Sequence, residues 1–329
     1  MKKKFIFSTL LVIIVITLGS WGFLVHRTIN QLAIYELPKG MQPFFYIYKD
    51  YLVYNAPRAD IRRNTDKEEG HKHYIDMEYF GTDPFKAVPQ QWDDAVAKYG
   101  LDTLKAYGTL PYTVIETQKK LTEAFRSKNK DSILFYAADL GHYIGDAHVP
   151  LHTSINYDGQ LTNQRGMHDL WETTVPEIVI TSYHINSGHK AKYIPDITKR
   201  IWEIIAHTHS LVPNMFEQEL VISKNFQDTS KKYRWQERWG KMRRFYSTDF
   251  AKAYNAALKG SINEQLIASA NHLADFWYTA WVDAGKPDLS GIMTKPYQKK
   301  DFKKEQKAFK KNQLIKKGLL ISKQKPSND

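Results

Sequence analysis

The chain has 329 residues, of which 42% are hydrophobic and none is cysteine, so a disulfide framework and a thiolate metal site are both excluded. The formal charge of +12 belongs to the two ends, because residues 2–4 contribute +3 and residues 295–329 contribute +9. Residues 21–294 are therefore formally neutral, and the composition does not indicate a strongly basic nucleic-acid surface on the body.

Residues 1–20 have the composition of a secretory signal peptide. Lysines precede an apolar run of about fifteen residues, and the small residues Gly19 and Ser20 follow it. The run is short for a transmembrane helix, which needs roughly 20 residues, and an uncleaved anchor is the alternative. We therefore expect an exported protein, periplasmic or secreted, whose mature chain begins at Trp21.

Apolar residues at helical spacing recur through the body and predict an all-α fold, with a single domain over residues 21–290. The predicted helices cover residues 28–37, 43–55, 92–107, 111–125, 131–144, 196–211, 215–223, 239–258 and 262–284, with Asp131 as an N-cap. Residues 178–181 could form a short strand, and the charged residues 65–70 are expected to be exposed. Residues 291–329 are expected to form a solvated, Lys-rich tail.

Two pairs of a histidine and a carboxylate stand out between residues 139 and 172. His142 precedes Asp146 by four residues, and His168 precedes Glu172 by four, so each pair occupies one face of a helix. Pro150, which lies between the pairs, cannot continue the first helix. The chain must therefore turn near it, which can bring His152 back toward His142 and Asp146. A single pair of this kind is more often a surface hydrogen bond, but the set suits zinc or a similar divalent ion.

Further motifs lie upstream, and together they carry a family resemblance. They are WGFLVH at residues 21–26, Asp60 in PRADIRR, and HKHYID with His71 and His73. In series with GHYIGDAHVPLH and the later pair, they resemble the zinc-dependent phospholipase C and S-one/P-one nuclease superfamily over roughly residues 21–285.

The resemblance implies a multi-helix domain that binds three zinc ions. It implies Asp60, His73, His142 and Asp146 for the first ion, His152, His168 and Glu172 for the second, and His26, Asp146 and the free amine and carbonyl of Trp21 for the third. Asp146 would bridge two ions, and Asp60 would orient the attacking water or act as general base. The implied activity is phosphodiester hydrolysis by a metal-activated water, which would require cleavage before Trp21.

The resemblance leaves the substrate open. The short spacing from Trp21 to His26 resembles the nuclease branch, whereas Glu172, the short gap from His152 to His168 and the lack of cysteine resemble the phospholipase branch. We predict a phospholipase C-like enzyme, with a single-strand-specific nuclease as the alternative. A non-catalytic secreted metal-binding or surface-attachment protein is a further alternative. No stable protein partner is implied, and the Lys-rich tail could contact an anionic surface.

Overall fold

The computed structural model describes residues 23–238 and 240–324, so the predicted signal peptide and Trp21 lie outside the described residues. The first half contains α1 (Phe23–Glu36), α2 (Gln42–Ile47), α3 (Lys49–Asn55), α4 (Arg58–Arg62), α5 (Pro84–Ala87), α6 (Trp92–Tyr99), α7 (Leu101–Tyr107), α8 (Leu110–Arg126) and α9 (Lys130–Asp146). The second half contains α10 (Met167–Asp169), α11 (Val175–Val179), α12 (Ile197–Ser210), α13 (Val212–Ser223), α14 (Thr229–Lys232), β1 (Tyr233–Arg238), β2 (Lys241–Tyr246), α15 (Thr248–Ala257), α16 (Ser261–Asp283) and α17 (Lys299–Lys310). The prediction of a mostly helical protein is confirmed. Within the described ranges, no helix has both the length and the apolar character needed to cross a membrane.

The core is built around α1, which is buried on nearly every side. It packs against α3, α9 and α16, so polar side chains such as Asn30 and Gln31 are buried along with its apolar ones. Trp277 of α16 donates from Nε1 to the carbonyl of Ala137 in α9, at 3.1 Å. Gln118 of α8 donates to the carbonyl of Phe276 in α16, at 2.9 Å. These bonds fix α16 across the pair α8 and α9.

The helix α9 begins slightly earlier than predicted, because its N-cap residue is different. Asn129, not Asp131, is the N-cap, and its side chain accepts a hydrogen bond from the backbone N–H of Ser132 at 3.0 Å. The helix then runs without interruption to Asp146, so His142 and Asp146 lie one turn apart as predicted.

Two other predicted elements were wrong. Residues 178–181 form the end of α11 and the start of the 3-10 turn Ile180–Ser182 instead of a strand. Residues 239–258 do not form one helix, because Ser247 caps a new helix by accepting from the N–H of Phe250 at 3.2 Å. The residues before that cap form β2, which pairs antiparallel with β1 from Tyr233 opposite Tyr246 to Arg238 opposite Lys241.

The Lys-rich C-terminal segment is folded onto the body, which corrects the expectation of a solvated tail. Phe302 and Phe309 of α17 are buried because they are seven residues apart and share one helix face, while the lysines between them point outward. Further along, Gln31 of α1 donates to the carbonyl of Leu319 at 2.7 Å and accepts from the N–H of Ile321 at 2.8 Å. We call residues 299–323 the C-terminal strap, and the folded body therefore extends past residue 290.

Candidate metal centre

Eight of the nine predicted site residues meet in one region, and the ninth, Trp21, lies outside the described residues. The eight come from α1 (His26), α4 (Asp60), the turn Gly70–His73 (His73), α9 (His142 and Asp146), the turn Pro150–Thr153 (His152), α10 (His168) and the wide turn Leu170–Thr174 (Glu172). Close approach of α1 to α9 requires glycine, because a Cβ on Gly145 would lie 2.6 Å from Nδ1 of His26.

The first group consists of Asp60, His73 and His142, whose facing ligand atoms all lie within 4.8 Å of one another. Nδ1 of His73 lies 3.0 Å from Nε2 of His142 and 2.9 Å from Oδ2 of Asp146. Asp146 therefore adjoins this group, and these are the four residues that the resemblance assigns to the first ion.

The second group consists of His152, His168 and Glu172. Oε2 of Glu172 lies 2.8 Å from Nε2 of His168 and 3.6 Å from Nε2 of His152. Glu172 lies in a π-turn, Leu170–Thr174, and turns of this type inside helical stretches occur frequently at functional sites.

The third group consists of His26, His142 and Asp146, and His26 connects it to the second group. Nε2 of His26 lies 3.5 Å from Oδ1 of Asp146 and 3.4 Å from Oε1 of Glu172. Both ring nitrogens of His26 are buried without a hydrogen-bond partner among the described residues. A buried imidazole in this state is costly unless a further group binds it.

Backbone carbonyl groups orient three of the imidazoles. His142 donates from Nδ1 to Ala56 O at 3.0 Å, His168 donates from Nδ1 to Tyr157 O at 3.1 Å, and His152 donates from Nδ1 to His73 O. These bonds assign the proton to Nδ1, so the lone pair of each Nε2 faces Asp146 or Glu172. Metal-binding histidines are commonly held in this way.

The pKa values of the buried carboxyl groups of Asp146 and Glu172 are lowered. Burial alone would raise the pKa of Asp146, but the imidazoles of His142, His152 and His73 hold it well below its usual range. The pKa of Glu172 is lowered against the same burial by His152, His168 and His26. Such concentrated negative charge needs protons or metal ions to balance it.

The neighbouring carboxylates in turn raise the pKa values of three imidazoles. Burial disfavours the charged form of His73 and of His142, but neighbouring carboxylates outweigh it and raise the pKa of both. Burial likewise opposes protonation of His168, yet the hydrogen bond to Glu172 raises its pKa to about 9. Groups that attract protons this strongly are placed to attract divalent cations.

Glu69 is a member of the site that sequence reasoning missed. The expectation that residues 65–70 are exposed is wrong for this side chain, which is 0% exposed. Its Oε1 lies 3.4 Å from Nε2 of His73, and it accepts hydrogen bonds from Arg62 at 2.9 Å and Lys72 at 3.0 Å. Glu69 therefore contacts Nε2 of His73, whereas Nδ1 of the same ring faces Asp146. The sequence contained a signal for this contact, because Glu69 and His73 are four residues apart. The spacing is that of the two pairs already noted, with the carboxylate first instead of the histidine.

Two nearby histidines belong to other contacts. His71 is hydrogen-bonded through Nδ1 to Oγ1 of Thr109 at 2.8 Å. His148 is buried and contacts Nδ1 of His272 through Nε2 at 2.8 Å. Neither belongs to the three groups.

No protein-family model matches this sequence, and no curated protein matches it either. The superfamily resemblance of the motifs therefore stays a prediction, and the interpretation of the centre rests on its geometry: three clusters of His, Asp and Glu side chains that could hold metal ions.

Proposed function

We propose that this protein is an exported, zinc-dependent phosphodiester hydrolase that acts on phospholipids as a phospholipase C and binds three zinc ions. The observation that carries the proposal is the sharing of ligands between clusters. His142 belongs to two of the three groups, and His26 lies between Asp146 and Glu172. Linked groups of this kind are suited to a multinuclear centre and not to isolated structural ions.

The spacing of the donor atoms fits zinc. Two ligands about 2.0–2.1 Å from one tetrahedral ion are about 3.3 Å apart. The distances from Oδ1 of Asp60 to the facing nitrogens of His73 and His142 are 3.6 and 3.8 Å, and those from Glu172 to His168 and His152 are 2.8 and 3.6 Å. These values bracket the separation that a shared ion requires, with only small side-chain movements.

Bound zinc would supply Lewis-acid activation of water and neutralisation of phosphoryl charge. Asp60 is the residue of the first group that is open to substrate, because its side chain is 30% exposed whereas Asp146 and His142 are buried. Its carboxylate can accept the proton of the attacking water as the new P–O bond forms. The P–O bond to the leaving alkoxide breaks, and that alkoxide takes up a proton from water. Arg63, whose Nη1 lies 3.3 Å from Oδ1 of Asp60, is on the same open side and can contact a phosphoryl oxygen.

A nuclease activity is the second candidate, and one observation favours it. An open groove beside Asp60 is lined by Arg63, Lys67, Lys105 and His71, and by Glu68, which forms an ion pair with Lys105. A basic groove of this kind suits the repeated phosphates of a single-stranded nucleic acid.

Parallel assays of the metal-loaded protein on phosphatidylcholine and on single-stranded DNA test the proposal. We expect His168→Asn to remove one zinc ion and lower turnover at least ~100-fold, since even the loss of groups that support metal ligands costs about 10–100-fold. His207→Asn, on an exposed face of α12, is the matched control and should change neither the zinc content nor the turnover. Unchanged zinc content and turnover in His168→Asn would contradict the proposal, and so would failure of the metal-loaded protein to hydrolyse either substrate.

A further inference from the structure

The base of the hairpin β1–β2 packs near the segment that carries His168 of the candidate metal centre. Glu219, which is buried, accepts hydrogen bonds from Tyr246 Oη at 3.0 Å, Lys232 Nζ at 2.9 Å and Gln164 Nε2 at 2.7 Å. Gln164 lies two residues before Gly166, the residue that precedes α10 and therefore His168. The base of the hairpin is thus fixed relative to the centre.

The outer part of the hairpin exposes apolar side chains. Trp235 is 66% exposed, the highest value among the large hydrophobic residues that the structure describes, and Met242 is 59% exposed. The register places Trp235 opposite Arg244 and Met242 opposite Glu237, so Trp235 and Met242 are diagonal neighbours on one face. In the described part of the chain, no third strand joins this sheet.

The same segment concentrates positive charge. Residues 231–246 contain seven basic residues and one acidic residue, a formal charge of +6. Lys241, Arg243 and Arg244 are exposed. The formal neutrality of residues 21–294 therefore conceals a strongly basic hairpin. Arg244 shares the face of Trp235 and Met242, whereas Lys241 and Arg243 lie on the opposite face.

We propose that the hairpin is a docking element for the surface of an anionic phospholipid bilayer. Trp235 and Met242 enter the interfacial region, where tryptophan is favoured. Arg244, on the same face, and Lys241, the first residue of β2, contact the anionic headgroups. Proteins that bind single-stranded nucleic acid instead use grooves with several stacked aromatic rings. The described hairpin offers one exposed tryptophan next to a methionine, which a lipid interface accommodates better. The docking is independent of hydrolysis.

Sedimentation of the mature protein, residues 21–329, with vesicles tests this proposal. We expect binding to vesicles of phosphatidylglycerol and phosphatidylcholine at low salt, weaker binding as salt rises, and much weaker binding to phosphatidylcholine alone. Lipid hydrolysis is measured in the same tubes, so docking without hydrolysis and hydrolysis without docking are distinguished. Failure to bind anionic vesicles at low salt would overturn the proposal, whatever the enzymatic activity.

Variants identify the surface. The double change Lys241→Gln and Arg244→Gln should weaken binding about thirtyfold, because each basic residue near an anionic surface contributes about a fivefold increase in affinity. The pair Trp235→Ser and Met242→Ser should weaken it at least about tenfold.

The matched control is the pair Lys303→Gln and Lys307→Gln, two exposed lysines of α17, which should keep nearly full binding. Circular dichroism checks that every variant is folded, as expected for changes at exposed positions. The proposal is wrong if the α17 pair weakens binding as much as the hairpin pairs, or if single-stranded DNA at equal phosphate concentration binds the hairpin more tightly than the vesicles do.

Discussion

Replacing Phe309 with alanine should destabilise the whole protein, although the residue lies in a Lys-rich segment. Phe309 is 3% exposed, and its ring stacks on Tyr35 of α1 with centroids 5.2 Å apart. Removal of a buried phenylalanine ring costs about 3–5 kcal/mol of unfolding free energy. For a domain of this size each kcal/mol lowers the melting temperature by about 2 °C, so we expect a decrease of roughly 6–10 °C.

The assay is thermal unfolding followed by circular dichroism, with zinc content measured on the same samples. Lys307→Ala, on the exposed face of the same helix, is the control and should change stability by less than about 0.5 kcal/mol. We also expect Phe309→Ala to lose zinc more readily, because Tyr35 lies on the helix that carries His26. A melting temperature within about 1 °C of the wild type would refute the packing argument. In that case, this segment would behave as the solvated tail that its composition predicted.

Three other predictions concern protons and the N-terminus. Since the pKa of His168 is raised to about 9, a proton competes with metal there, and the zinc affinity of metal-free protein should rise about tenfold per pH unit up to about pH 9 in chelator competition. Burial and the charge of Asp275 raise the pKa of Glu36 to about 8, above its unfolded value, so stability should fall as pH rises from about 5 to 8. Glu36→Gln should remove this loss and be more stable than wild type by about 2–4 kcal/mol at pH 8.5, with little difference at pH 4, in urea unfolding. Retention of Ser20 would convert the amine of Trp21 into an amide, a poor ligand, so zinc content should fall by one ion and turnover should fall steeply. Equal zinc content in the two forms would contradict a role for that amine.

The two pairs of the centre were predictable because they depend on a local rule. A spacing of four residues within a helix fixes which side chains share a face, and both pairs obey it. His26, Asp60 and His73 are different, because no periodicity in the sequence links residues so far apart. Only the resemblance of their motifs brought them into the prediction, and only the folded chain shows how close they lie.

The strap and the hairpin were mispredicted for different reasons. The strap was judged by its Lys-rich composition, which conceals the few buried residues, whereas the hairpin was judged by helical periodicity. In the strap the decisive feature is the spacing from Phe302 to Phe309, which marks one buried helix face. In the hairpin it is the pairing of Tyr233 with Tyr246 at the base, a long-range contact that helical periodicity cannot detect.

The position of α1 makes the two ends of the chain depend on each other. Its first turn carries His26 beside Asp146, and its middle holds the strap through Gln31 and Tyr35. A ligand that binds the folded state stabilises every element whose position it fixes. Zinc bound at His26 would therefore help to hold the strap, and the strap in turn limits the movement of the helix that presents His26. On this view the C-terminal lysines keep the outer face of the strap soluble, while the phenylalanines beneath them help to hold α1, and thus His26, in place.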